Sequence, residues 1–232
     1  MALVDVIQDP FGQIELLREL VPARIHEPVL IDADDASRMV QPYSWLLDLV
    51  GSAGSKLTSA GYLPPADVAA IAAELRLEDE WIGKFNREAQ TLPVLDFRES
   101  AMRAGLLRRS KGMLVLTPAG RALRGDPVKL WWYLAENTPR RPAGNLERQA
   151  VILMLAAVAG RLEERPLDFA ARIMPKLGWG MRDGSPIARW EVRNSAPDAW
   201  TILDRIGAVG KDDKPTRDGE LFARAALRTW GG

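Results

Sequence analysis

Seven basic residues crowd the stretch from 98 to 124 (Arg98, Arg103, Arg108, Arg109, Lys111, Arg121 and Arg124) against a single acid, Glu99. Cations at that density suit the phosphates of a nucleic-acid backbone, whose contacts are electrostatic and salt-dependent. In a winged helix, the second helix of a pair lies in the major groove, and the tip of the following hairpin reaches phosphates or the minor groove. On that plan Arg98 and Arg103 sit on the reading helix, and Arg108, Arg109 and Lys111 sit on the wing. These five are the candidate nucleic-acid-binding residues. Two features oppose the plan. "PVLDFRESAMRAG" has no Asn or Gln and few side chains that read base edges in a bidentate manner. The preceding "LEDE" places three acids where a duplex would approach. A solvated arginine face on an ordinary helical hairpin accounts for the same residues.

Other chemistry is sparse. The chain has no cysteine and one histidine, His26, which removes thiolate catalysis and cysteine-ligated metals and leaves little for a histidine triad. "GSAGSK" at 51–56 lacks the spacing and the strand–loop–helix context of a phosphate loop. "DADD" at 32–35 has no second oxygen cluster to complete a cation site and reads as a solvated turn. We therefore expect no enzymatic activity, no cofactor, no metal and no small-molecule substrate.

The elements that position the basic stretch follow from pattern. With 232 residues, 47% hydrophobic and 27% charged at zero net charge, the chain is long enough for one large or two small cores. Residues 1–37 carry eight acids and two basic residues and form an acidic arm, broken by Pro10, Pro22 and Pro28, that packs on the body or on a partner. "GQIELLREL" in it is a short amphipathic helix, and "VPARIHEPVLIDADD" is extended. From Tyr43 the order is a helix stopped by Gly51, an edge strand or turn at "SKLT", then helices at "LPPADVAAIAAELRL" and "TLPVLDFRESAMRAG", the second capped by Thr91. A hairpin of Leu106–Arg109 and Met113–Leu116 follows, and Thr117-Pro118 opens the next helix. That order is the winged-helix arrangement.

"TPRRPAGNLE" at 138–147 reads as a linker. Beyond it stand a helix apolar nearly all round ("LERQAVILMLAAVAGRLEE"), two glycine-ended helices, a short hairpin at "AVGKDDKPT" and a terminal helix. Three segments share one plan: a helix closed by glycine, a polar connector, then Thr-x-x-Gly. The pairs are Thr58/Gly61, Thr117/Gly120 and Thr216/Gly219. The fold expectation is thus mainly α, with tandem winged-helix-like units at 38–137 and 145–232 carrying short β-hairpins, the second with a shorter wing. Of Trp131-Trp132, one enters the core and the other lies near the surface or at an interface, because helical neighbours diverge by about 100°.

The runs "KLTSAGYLPPADV" and "EWIGKFNREAQTLPVLDFRESAMRAGLLRRSKGMLVLTPAGRALRGDPVKLWWYLAE" resemble a block in an uncharacterised, mainly actinobacterial family named after the third open reading frame of a root-inducing plasmid. The resemblance spans roughly 43–137 and omits the domain that gives that family its name. It implies no function and no site residues. No secretory signal and no membrane span is expected, so the chain is read as cytoplasmic. The functional expectation is a non-enzymatic binding or scaffold protein with a protein partner or self-association; the alternative is a DNA-binding transcriptional regulator using 98–124.

Overall fold

A computed structural model describes residues 14, 17–18, 21–23, 27–79, 81–138 and 144–230. His26 and most of the amphipathic segment at 12–20 lie outside them, as do linker residues 139–143. The protein is mainly helical with one small three-stranded antiparallel sheet. Helix α1 spans Ala33–Val50, followed by β1 (Ser55–Lys56), α2 (Pro65–Glu74), α3 (Leu92–Arg103), β2 (Leu107–Ser110) and β3 (Met113–Leu116). Then come α4 (Pro118–Leu123), α5 (Pro127–Asn137), α6 (Asn145–Ala159), α7 (Pro166–Ile173), α8 (Arg189–Ser195), α9 (Pro197–Arg205) and α10 (Arg217–Trp230).

Two local expectations need correction. Helix α1 starts inside "DADD" rather than near Tyr43. Asp32 Oδ1 accepts the Asp35 N–H at 2.8 Å, and Asp34 and Asp35 lie in the first turn, where carboxylates favour the positive helix end. The acidic run is a helix cap, not a solvated turn. Thr91 does not cap α3; its hydroxyl turns back and donates to the Arg87 carbonyl at 3.0 Å. Helix α8 has no counterpart in the sequence reading. Its sign is Glu191, whose side chain accepts the Ala188 N–H at 2.6 Å.

Two of the three Thr-x-x-Gly segments are built alike. Thr117 Oγ1 donates to the Gly105 carbonyl at 2.6 Å and accepts the Gly120 N–H at 2.9 Å. Thr216 Oγ1 donates to the Gly207 carbonyl at 2.6 Å and accepts the Gly219 N–H at 3.0 Å. The backbone N–H groups of the two threonines donate to Leu106 and Ala208, each the residue after a glycine of positive φ that ends α3 or α9. The strand pair Leu107↔Leu116 is matched by the single bridge Val209↔Pro215. Upstream, Pro65-x-Asp67-Val68-Ala69-Ala70 opens α2, and Pro166-x-Asp168-Phe169-Ala170-Ala171 opens α7. Thr58 differs. Its hydroxyl accepts the Tyr62 N–H in a turn that starts no helix, so that copy matches in letters only.

Helix α3 packs on α9, and α10 packs on both α5 and α6. One apolar core runs through both halves. It includes Tyr43, Phe97, Trp131, Phe169 and Phe222, and every residue of α6 from Ala150 to Ala159 is buried. Trp131 is buried and Trp132 half-buried, edge to face at 5.0 Å, as the helical spacing requires. The described part of the arm packs on the body: Ala23 and Val29 are buried, and Glu27 pairs with Arg224 of α10 at 2.9 Å.

Candidate nucleic-acid interface

The basic stretch does not converge on one face. Arg98 belongs to the core, with none of its surface exposed. Its Nε donates to Glu88 Oε1 at 2.5 Å, and Glu88, itself buried, accepts the Leu63 N–H at 2.7 Å through its other oxygen. Arg98 Nη1 lies 3.3 Å from Met102 Sδ, while Nη2 is 3.1 Å from Glu99 but not aligned for a hydrogen bond. This network ties α3 to the segments that enter α2 and α3. Arg98 is therefore corrected from a phosphate contact to a structural cation, because no ligand reaches it. The sequence spacing could not show this, since Glu88 lies ten residues upstream in a short 3-10 turn, Glu88–Gln90.

Arg103 points at the second half of the chain, 3.2 Å from Glu147 at the start of α6 and 3.8 Å from Asp198 on α9. Arg109 pairs with Glu99 at 2.7 Å, Arg121 donates to the Leu116 carbonyl at 2.9 Å, and Arg124 pairs with Asp48 at 2.6 Å. Of the five candidates only Arg108 and Lys111 are exposed with no acid within ion-pair distance among the described residues.

The helix proposed to enter a groove is covered. Aligned on Gly105 and Gly207, Asp96 and Arg103 of α3 correspond to Asp198 and Arg205 of α9. The contacts are reciprocal: Arg103 approaches Asp198, and Arg205 acts electrostatically on Asp96. Tyr43 Oη and Ser100 Oγ, 2.8 Å apart, join α1 to α3 in the interior, where burial pushes the phenol well above its usual range. Burial also pushes the Asp96 and Asp198 carboxyls above the ordinary carboxylate range, and the neighbouring arginines offset it only in part. A carboxyl that holds its proton more tightly when folded adds stability below its unfolded-state pKa and loses it as pH rises through the folded value. The stability difference between the wild type and an Asp96→Asn/Asp198→Asn variant is accordingly expected to fall as pH rises above about 4. Urea titrations from pH 4 to 7 measure it; a difference that rises with pH contradicts the assignment.

Strand register places a residue that spacing alone did not single out. β3 is the central strand, with β1 and β2 on its two sides. Lys56 pairs with Met113, and Met113 with Ser110; Val115 pairs with Arg108. Side chains alternate across a strand, so Lys56, Met113, Val115, Arg108 and Ser110 share the face away from buried Leu114 and Leu116. Lys56, about fifty residues ahead of the hairpin, is exposed, and no carboxylate among the described residues pairs with it. "GSAGSK" is thus the lead into an edge strand. Among the described residues, no group of His, Asp and Glu is placed to hold a metal, and no helix is long and apolar enough to cross a membrane.

Comparison with protein-family models, with curated proteins and with solved structures gives no match to this chain.

Proposed function

We propose that the chain is a non-enzymatic binding or scaffold protein built on two winged-helix-like units, at 38–137 and 145–232. The observation that carries this reading is the packing of α3 on α9. In a groove-reading winged helix the counterpart of α3 must be free. Here α3 spends Arg98 on Glu88 and turns Arg103 toward Glu147 and Asp198. The helix that a regulator would insert into DNA serves instead to hold the two units together. The reading of 98–124 as a sequence-specific DNA reader loses its helix and keeps only its hairpin. The block that resembles the plasmid reading-frame family coincides with the first unit, and it adds no site residues.

Partner contact falls to exposed apolar side chains. Trp190 on α8 is 60% exposed and Ile82 fully so. Large aromatics carry much of the free energy at protein interfaces. Selection from a pool of randomised duplexes tests the reading: the expected result is no enriched sequence, and a reproducible consensus contradicts it. Light scattering of the wild type and a Trp190→Ala variant at high concentration then tests self-association through that side chain; a size difference between them is expected if the partner is a second copy.

A further inference from the structure

We propose that the outer face of the three-stranded sheet binds the phosphate backbone of double-helical DNA without regard to sequence, through Lys56, Arg108 and Lys111. The proposal rests on strand register rather than on the winged-helix reading. Two rows cross the sheet, Val115–Arg108 and Lys56–Met113–Ser110, and Gly54, just ahead of β1, lies beside Val115. Gly54 has positive φ, and a Cβ there would fall 2.9 Å from Val115 Cγ1 and 2.8 Å from the Leu114 carbonyl oxygen. The centre of the face is therefore flat and apolar, formed by Gly54, Val115 and Met113.

Cations occupy its margins. Lys56 and Arg108 lie at opposite corners, two strand spacings apart across the sheet and two residues apart along it, about 12 Å between Cα atoms. Lys111 sits in the hairpin turn at positive φ, beside Gly112. The Gly112 carbonyl accepts the Leu57 N–H at 2.9 Å, which brings the end of β1, and with it Lys56, against that turn. Lys56 and Lys111 thus face solvent near one another with no described carboxylate between them, a like-charge placement that an anion relieves.

A flat apolar floor flanked by unpaired cations matches a backbone that alternates sugars with phosphates. A duplex offers one phosphate per roughly 3.4 Å of axis on each strand, so cations held about 12 Å apart find partners at any sequence. The face carries no aromatic side chain on which unpaired bases stack, which favours the duplex over a single strand. Its two neutral polar positions, Ser110 and the peptide groups of the turn, add no base-reading fork.

The test is fluorescence anisotropy of the full chain with a labelled random-sequence duplex over a salt series. Three phosphate contacts predict a log–log slope of about −2.7, so that affinity falls about 40-fold between 50 and 200 mM salt. Lys56→Glu/Arg108→Glu/Lys111→Glu, three exposed substitutions, abolishes binding while the circular dichroism melt stays at the wild-type temperature. Charge reversal elsewhere, Arg182→Glu, leaves affinity within about twofold. Wild-type chain that fails to bind at 50 mM salt overturns the proposal, as does a triple variant that still binds. Tighter binding to a single strand, or to polyglutamate of equal charge, also overturns it and marks the face as a surface for that ligand. All of these results leave the outcome of the randomised-duplex selection untouched, so the proposal and the scaffold reading fail separately.

Discussion

Replacing Arg98 with alanine is expected to destabilise the protein by about 3–5 kcal/mol, far more than removal of any surface arginine of the same stretch. The cause is the carboxylate left behind. Glu88 is 1% exposed and would keep only the Leu63 N–H as partner. A buried charge that loses its counter-charge bears its desolvation cost unrelieved, or takes up a proton. Arg108→Ala, exposed and unpaired, is expected to cost less than about 0.5 kcal/mol. Urea denaturation of both variants measures the contrast. Equal, small losses would place Arg98 at the surface and restore it as a candidate phosphate contact. Restoring neutrality with Arg98→Met/Glu88→Gln is expected to recover part of the loss, because the amide still accepts from Leu63 and carries no charge.

Alanine at Gly120 or at Gly219 carries the second large penalty, about 3 kcal/mol each. A Cβ at Gly120 would fall 2.2 Å from the Leu106 carbonyl oxygen, and at Gly219 2.1 Å from that of Ala208. Both obstacles are backbone, and both carbonyls accept the N–H of the preceding threonine, so neither can yield without loosening the turn. Alanine gains about 1 kcal/mol of helix propensity over glycine, which the overlap outweighs. Gly180, with open space around it and no positive φ, is the control and is expected to change stability little on substitution by alanine. Parallel losses at Gly120 and Gly219 would show that the two halves use one device. A loss at one alone would make the match of letters accidental there, as it is at Thr58.

The elements near this device were legible in the sequence because their signals are local. Glycine after a helix, proline at its first turn and threonine before it act within a few residues, so the hairpin at 107–116 and the helix start at 118 are where pattern places them. The short run at Lys56 after a glycine stop was legible as an edge strand or a turn, and it forms the edge strand β1. The candidate site was less legible, since its outcome depends on contacts distant in sequence. Nothing near Arg98 reveals that a turn ten residues earlier folds Glu88 over it. Nothing near Arg103 reveals that a helix almost a hundred residues later brings Asp198 to it. Charge density along the chain counted seven cations; burial and pairing leave Arg108 and Lys111 exposed and unpaired, and strand register adds Lys56 beside them. The likeness between the two halves was half visible. Two Thr-x-x-Gly segments carry it in the sequence, and the shared Pro-x-Asp letters stand out only once both are seen to open helices, α2 and α7.

The central claim is that α3 is covered by α9 in the working protein. The chain contains no cysteine, so a pair introduced at Arg103→Cys and Asp198→Cys is the sole thiol pair available to a short bifunctional maleimide. The predicted result is rapid intramolecular cross-linking of nearly every molecule, with a yield that excess duplex DNA does not lower. A low yield, or one that falls when DNA is added, would mean that α3 is released for the groove and would contradict the account.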